Sequence, residues 1–132
     1  MCFESHYIPA HDIVVQRWSG VVTVDAAVQA KHVEMDRAEH GPDTVWLADA
    51  RGVDVDVTFL PGWTEAVTRE FPGHLHPLAI VVDMPRATAV SMLLAKENES
   101  RSKQTQVFST VESAMKWLGR DPLVARAAAL GL

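Results

Sequence analysis

Cys2 is the only cysteine, so no disulfide can staple the chain internally, and a lone thiol fits a reducing compartment. Long apolar runs are missing as well. The longest, Leu78 to Val82, falls far short of the ~20 residues that a membrane-spanning helix needs. Met1 to His6 carries neither the basic region nor the apolar stretch of a signal peptide, and the expected location is the cytoplasm. The seven glycines are dispersed, so no phosphate loop or dinucleotide fingerprint can be assembled, and no cofactor is expected. Basic residues are scattered over a chain of net charge −5, which excludes the clustered Lys and Arg footprint of a nucleic-acid binder. No repeat, linker or low-complexity tract interrupts the pattern.

What is present is an ordinary globular composition. The 132 residues are 48% apolar and 22% charged, enough for one domain with a real core. Ile13-Val14-Val15 and Val21 to Val24 flank Trp18-Ser19-Gly20, which predicts an antiparallel hairpin. Asp25 offers an N-cap for a helix to about His40, closed by Gly41-Pro42. The apolar residues of that helix (Ala26, Ala27, Val28, Ala30, Val33, Met35, Ala38) form no clean stripe. Val45 to Ala48 and Leu78 to Val82 are continuous apolar runs, the mark of strands covered on both faces. Between them, Trp63, Ala66, Val67 and Phe71 recur at helical spacing before Pro72-Gly73. Pro85 suits the first turn of a helix carrying Val90, Leu93 and Leu94, and the polar stretch Lys96 to Gln104 reads as a frayed helix end or a solvated loop.

The end of the chain is the best signposted. Gln106-Val107-Phe108 forms a short strand, and Ser109-x-x-Glu112 matches a capping box for a helix with Val111, Ala114, Met115 and Leu118 on one side. Gly119 stops it. Asp121-Pro122 opens a last helix, to about residue 130, with Leu123, Val124, Ala127, Ala128 and Leu130 to bury. The alternation implies right-handed βαβ units: an α/β fold with a mixed, mainly parallel sheet of about five strands, an N-terminal antiparallel hairpin and packed helices.

The hairpin Trp-Ser-Gly-Val-Val-Thr-Val, the strand ending in Asp49-Ala50-Arg51-Gly52, the central strand Ala79 to Asp83 and the ending Val107-Phe108 … Glu112-Ser113-Ala114 … Trp117-Leu118-Gly119 carry a resemblance. Over roughly residues 12 to 119 the chain resembles the SpoIIAA-like branch of the STAS superfamily, uncharacterised bacterial proteins. The resemblance implies a SpoIIAA-like domain with Trp117 and Leu118 against the sheet and a helix at about 121–130 appended to it. It also implies a binding or regulatory module rather than an enzyme. The anti-sigma factor antagonists of the superfamily are switched by a serine after the strand that ends in Asp. Here that stretch reads Asp49-Ala50-Arg51-Gly52-Val53-Asp54-Val55-Asp56, with no serine, so the phospho-switch is not expected and Asp56 is read as a solvated loop acid.

Few residues point to chemistry. His74-x-His76 has metal-ligand spacing on a strand but no third ligand nearby, and no metal is expected there. His6 and His11 sit near the terminus, and His32 and His40 on the first helix. In open α/β sheets ligands bind beyond the carboxyl ends of the parallel strands. Those ends are Asp49, Arg51, Asp83, Arg86, Ser109 and Thr110, which makes them the candidate ligand-binding rim, with caps and ion pairs as the plain alternative. Three readings stay open: a module for an unknown protein partner or small ligand, a small enzyme using Asp49 or Asp83, and a homodimer paired through the apolar face of the last helix.

Overall fold

The computed structural model describes residues 1–37, 40–56, 58–71, 75–101 and 103–129. The chain opens with β1 (Cys2–Ile8) and β2 (Ile13–Ser19), antiparallel and in register from Cys2 opposite Ser19 to Ile8 opposite Ile13. Asp12 closes their turn at φ 49°, a left-handed conformation that Asp tolerates, and its carboxylate accepts the Tyr7 hydroxyl at 3.0 Å. Then follow β3 (Val21–Val22), α1 (Val24–Arg37), β4 (Val45–Asp49), β5 (Asp54–Val55) and α2 (Phe59–Glu70). The rest is β6 (Leu78–Val81), α3 (Pro85–Ser100), β7 (Thr105–Phe108), α4 (Val111–Leu118) and α5 (Pro122–Ala129).

The main sheet has five strands in the order β1-β2-β4-β6-β7, parallel except for β1, and β3 pairs with β5 as a separate parallel ribbon. The mixed sheet of five strands is therefore as expected, and 78–81 lies inside it, although β4 holds the centre. The hairpin is not where the apolar runs placed it. Ile13 to Gln16 are buried, so β2 has β1 on one side and β4 on the other and leaves no edge for Val21 to fold back on. Gly20, at φ 80°, instead turns the chain away to form β3. His6 accordingly lies within β1.

Strand alternation sends side chains to two cores. On one face Ile13, Val15, Val45, Leu47, Ala79 and Val81 meet Ala114, Met115 and Leu118 of α4 and Val124 and Ala125 of α5. Fully buried Met115 and Leu47 each contribute about 1.5–3 kcal/mol. The last helix thus covers the domain's own sheet and leaves Leu123 exposed; Leu130 and Leu132 lie outside the described residues. Leu118 is buried as expected, but Trp117 is 37% exposed and leans on Phe108 with ring centroids 5.7 Å apart. On the other face, Val22, Val53, Val55, Ile80 and Val82 pack with Ala27 of α1 and Ala87 of α3, joined by Trp18, Phe59 and Trp63.

Two caps differ by small shifts. Thr23, not Asp25, caps α1, taking the Ala26 N–H at 3.3 Å. Thr110, not Ser109, caps α4: its hydroxyl oxygen accepts the Ser113 N–H at 3.2 Å and donates to Ser113 Oγ at 2.9 Å. The helix starts one residue later than the Ser109 box requires, so Glu112 falls in its first turn. Thr110→Ala is expected to cost ~1 kcal/mol and Ser109→Ala less than about 0.5 kcal/mol, read as urea-unfolding midpoints. Gly119 ends α4 at φ 72°, as expected. The Pro72-Gly73 stop after α2 lies outside the described residues.

Candidate functional site

Asp49 closes β4 with its carboxylate largely buried, and both oxygens are occupied: Oδ1 accepts Arg51 Nε at 2.9 Å, and Oδ2 accepts Arg51 Nη2 at 2.8 Å and Arg17 Nη1 at 3.1 Å. Burial alone would raise the Asp49 pKa. The hydrogen bonds and charge of Arg51, with Arg17 behind them, hold it below the ordinary carboxylate value. Asp49 is therefore ionised at neutral pH, with arginines on its lone pairs. Asp83 accepts the Gly52 N–H at 2.7 Å and fixes the loop after β4. Arg86 faces Asp54 at 3.8 Å, and Thr110 is spent on its helix cap. The structure brings Asp49, Arg51 and Asp83 together and sets Arg86 on the β3–β5 side. Ser109 makes no side-chain hydrogen bond to any of them among the described residues. A groove of about 480 Å³ runs beside Asp49, lined by side chains of both signs, including Glu4, Arg17, Arg51 and Glu112.

The sheet face under α1, α2 and α3 is different. A cavity of about 140 Å³ lies between the sheet and α1, α2 and α3, walled by Trp18, Trp46, Phe59, Trp63, Val67 and Ile80. Its polar lining is Gln16 from the middle of β2, Lys31 from α1, and Asn98, Arg101 and Lys103 from the segment that leads into β7. Ala27, Lys31 and Glu34 lie at i, i+4 and i+7 on the buried side of α1, so the helix faces inward with a charged stripe. That explains its missing apolar one.

Glu34 is saturated. Oε2 accepts Ser5 Oγ at 2.7 Å and Gln16 Nε2 at 2.6 Å; Oε1 accepts Lys31 Nζ and Trp46 Nε1, each at 3.0 Å. Its burial acts to raise the pKa, but Lys31 and these donors hold it low. Lys31, over the Trp46 ring at 5.1 Å, is depressed by burial, with Glu34 opposing.

Lys103 has no such partner. The Asn98 carbonyl accepts both the Arg101 and the Lys103 N–H, at 3.0 and 2.9 Å, while Asn98 Nδ2 donates to Thr105 Oγ1 at 2.9 Å. This turn folds the chain back over the end of α3 and sends Lys103 inward, where the residue is only 8% exposed. Among the described residues its ammonium makes no hydrogen bond or ion pair. Burial first, then the like charges of Lys31 and Arg101, push its pKa down to about 7. Thr64 Oγ1, buried and without a hydrogen-bond partner among the described residues, also lines the cavity. The segment Lys96 to Gln104, expected as a frayed helix end or a solvated loop, does carry the end of α3 to Ser100, but it also buries Lys103.

His76 Nδ1 lies 3.0 Å from the Thr44 carbonyl, and the His40, Trp46 and His76 rings cluster with centroids 4.8–5.2 Å apart. His40 lies past α1 rather than on it, His32 pairs with Glu70 at 3.1 Å, and His74 lies outside the described residues. No group of three His, Cys, Asp or Glu suited to a metal occurs among the described residues. Asp56 accepts the Thr58 N–H at 3.0 Å at the entry to α2. No described helix is long and apolar enough to cross a membrane.

No family model and no curated protein matches the chain. A solved structure does. It is an uncharacterised protein of the DUF3478 family with a SpoIIAA-like fold, from Shewanella loihica PV-4, similar at a TM-score of 0.60 over 89% of this chain and 92% of that one. The fold is SpoIIAA-like. At 13% identity the likeness carries architecture and no side-chain chemistry, so function has to be argued from the cavity. Within the SpoIIAA-like fold, that cavity lies along the sheet face under α1–α3, from Leu78 to Val82, rather than at the rim favoured by the strand-end rule.

Proposed function

We propose that this SpoIIAA-like chain is a binding module for a small apolar carboxylate, held in the cavity between the sheet and α1–α3 with its head at Lys103. The carrying observation is the Lys103 ammonium, without a hydrogen bond or ion pair among the described residues, in an aromatic-lined cavity. An isolated buried cation is costly, and an anion from outside offsets that cost. Lys31 and Arg101 add positive charge beside it, and Glu34 is already committed to its four donors. The volume, about 140 Å³, sets the ligand size: a cavity of ~150 Å³ accepts a benzene ring. One aromatic ring or a short acyl chain is the matching body.

Titration calorimetry with benzoate tests this. Benzoate is expected to bind at pH 6.5 at least ~10-fold more tightly than benzyl alcohol, because a charge-assisted head contact contributes about 1.5–3 kcal/mol. Lys103→Met is expected to abolish the difference. The carboxylate needs the protonated amine, so benzoate affinity should fall as pH rises above about 7, approaching tenfold per unit. Equal affinity for benzoate and benzyl alcohol, or benzoate binding indifferent to Lys103→Met, would refute the proposal.

A further inference from the structure

The geometry points to a second chemistry at the same cavity: we propose that the Lys103 amine captures small apolar aldehydes as an imine. The proposal rests on the cavity being a ligand site, and goes beyond carboxylate binding by assigning Lys103 a covalent role. Three observations carry it. Lys103 lines the cavity and is 8% exposed, so a bound carbonyl would meet the amine away from bulk water. Its amine is committed to no hydrogen bond or ion pair among the described residues, which leaves the lone pair available once the proton is gone. The charged and titratable groups facing it are Lys31 and Glu34 from α1, Arg101 after α3 and His76 before β6, with cations outnumbering the one carboxylate. A lysine desolvated in an apolar pocket beside another cationic group is the recognised way to make an amine nucleophilic near neutral pH. Lys103 is held near 7 by those causes, so both protonation states are present at neutral pH.

The step balances without a redox partner. The amine lone pair forms the N–C bond as the carbonyl π pair moves to oxygen; nitrogen loses a proton and oxygen gains one, giving a carbinolamine. A second proton on that oxygen lets it leave as water while the nitrogen pair forms C=N and nitrogen releases its remaining proton. Aldehyde and amine become imine and water.

The chain carries four lysines, and exposed Lys96 and Lys116 serve as internal controls for Lys103. The full chain is incubated with benzaldehyde and cyanoborohydride, which fixes any imine as a secondary amine, and the benzyl mark is located by peptide mass spectrometry. At pH 7 Lys103 is expected to be marked at least ~10-fold faster than the exposed Lys96 or Lys116. Excess benzoate should protect it, and marking should fall as pH drops below 6. Arg101→Gln removes a like charge and should move the midpoint of that profile upward. Benzoate binding with Lys103 marked no faster than Lys96 overturns the imine while leaving the carboxylate reading intact. Marking of Lys103 without benzoate binding supports the imine and overturns the carboxylate reading. Neither marking nor binding overturns both.

Discussion

Lys103→Met is expected to stabilise the protein at pH 7, raising its melting temperature by roughly 5–10 °C, an effect of a few kcal/mol on a domain of this size. The reason is linkage. Burial and the neighbouring Lys31 and Arg101 lower the folded pKa from 10.5 to about 7, so between those values the unfolded chain binds the proton and the folded chain does not. Stability from this group is fully present above 10.5 and is lost as pH falls toward 7. At about 1.4 kcal/mol per unit, the depression bounds the cost near 5 kcal/mol, of which relaxation and water entry recover part. Methionine keeps the apolar stem and has no charge to desolvate. Wild-type stability should therefore climb relative to the variant between pH 7 and 10, and the two curves should converge at the alkaline end. Chemical denaturation at four pH values checks this; a variant less stable than wild type at pH 7 would contradict it.

A side chain that lowers stability and is nonetheless placed by a specific turn has the profile of a site rather than of a scaffold. The same substitution is expected to remove benzoate discrimination, so stability and binding should move in opposite directions. A purely structural lysine would lose both together.

How far the sequence carried this conclusion depends on what each segment faces. Val45 to Ala48 and Leu78 to Val81 are legible because both sheet faces are covered, which demands continuous apolar residues. Thr110 and Gly119 are legible to within a residue because helix ends have local chemical requirements. β1 was not, since Ser5 puts a polar residue on the inward phase between Phe3 and Tyr7, where Glu34 accepts its hydroxyl. Lys103 was illegible for a stronger reason. In a run as polar as Lys96 to Gln104, burial is decided by the Asn98 turn and the β7 register, both tertiary. The rim residues Asp49, Arg51 and Asp83 were found by the strand-end rule, but the rule locates positions and says nothing of whether their lone pairs are already taken.

Glu34→Leu is expected to be the most damaging single substitution, costing about 3–5 kcal/mol and shifting the urea midpoint accordingly. Glu34 is 4% exposed and is the common acceptor for Ser5, Gln16, Lys31 and Trp46, contributed by β1, β2, α1 and β4. Its loss removes the shared acceptor of several donors at once, one of them the Lys31 ammonium in a buried position. Loss of the anion beside a buried cation accounts for most of the damage, because neutral donors that lose an acceptor cost only about 1–3 kcal/mol each and can relax toward one another. The charge component can be isolated. Glu34→Gln keeps the shape and an acceptor oxygen but removes the anion, and should still cost about 2 kcal/mol or more. Adding Lys31→Met to Glu34→Gln removes the buried cation, and the double variant should be more stable than Glu34→Gln alone. It should also raise the pH at which Lys103 titrates, since Lys31 is one of the cations that depress it. If the double variant is instead less stable than either single one, Lys31 and Glu34 act on separate parts of the fold, and the polar side of the cavity is not the single electrostatic unit described above.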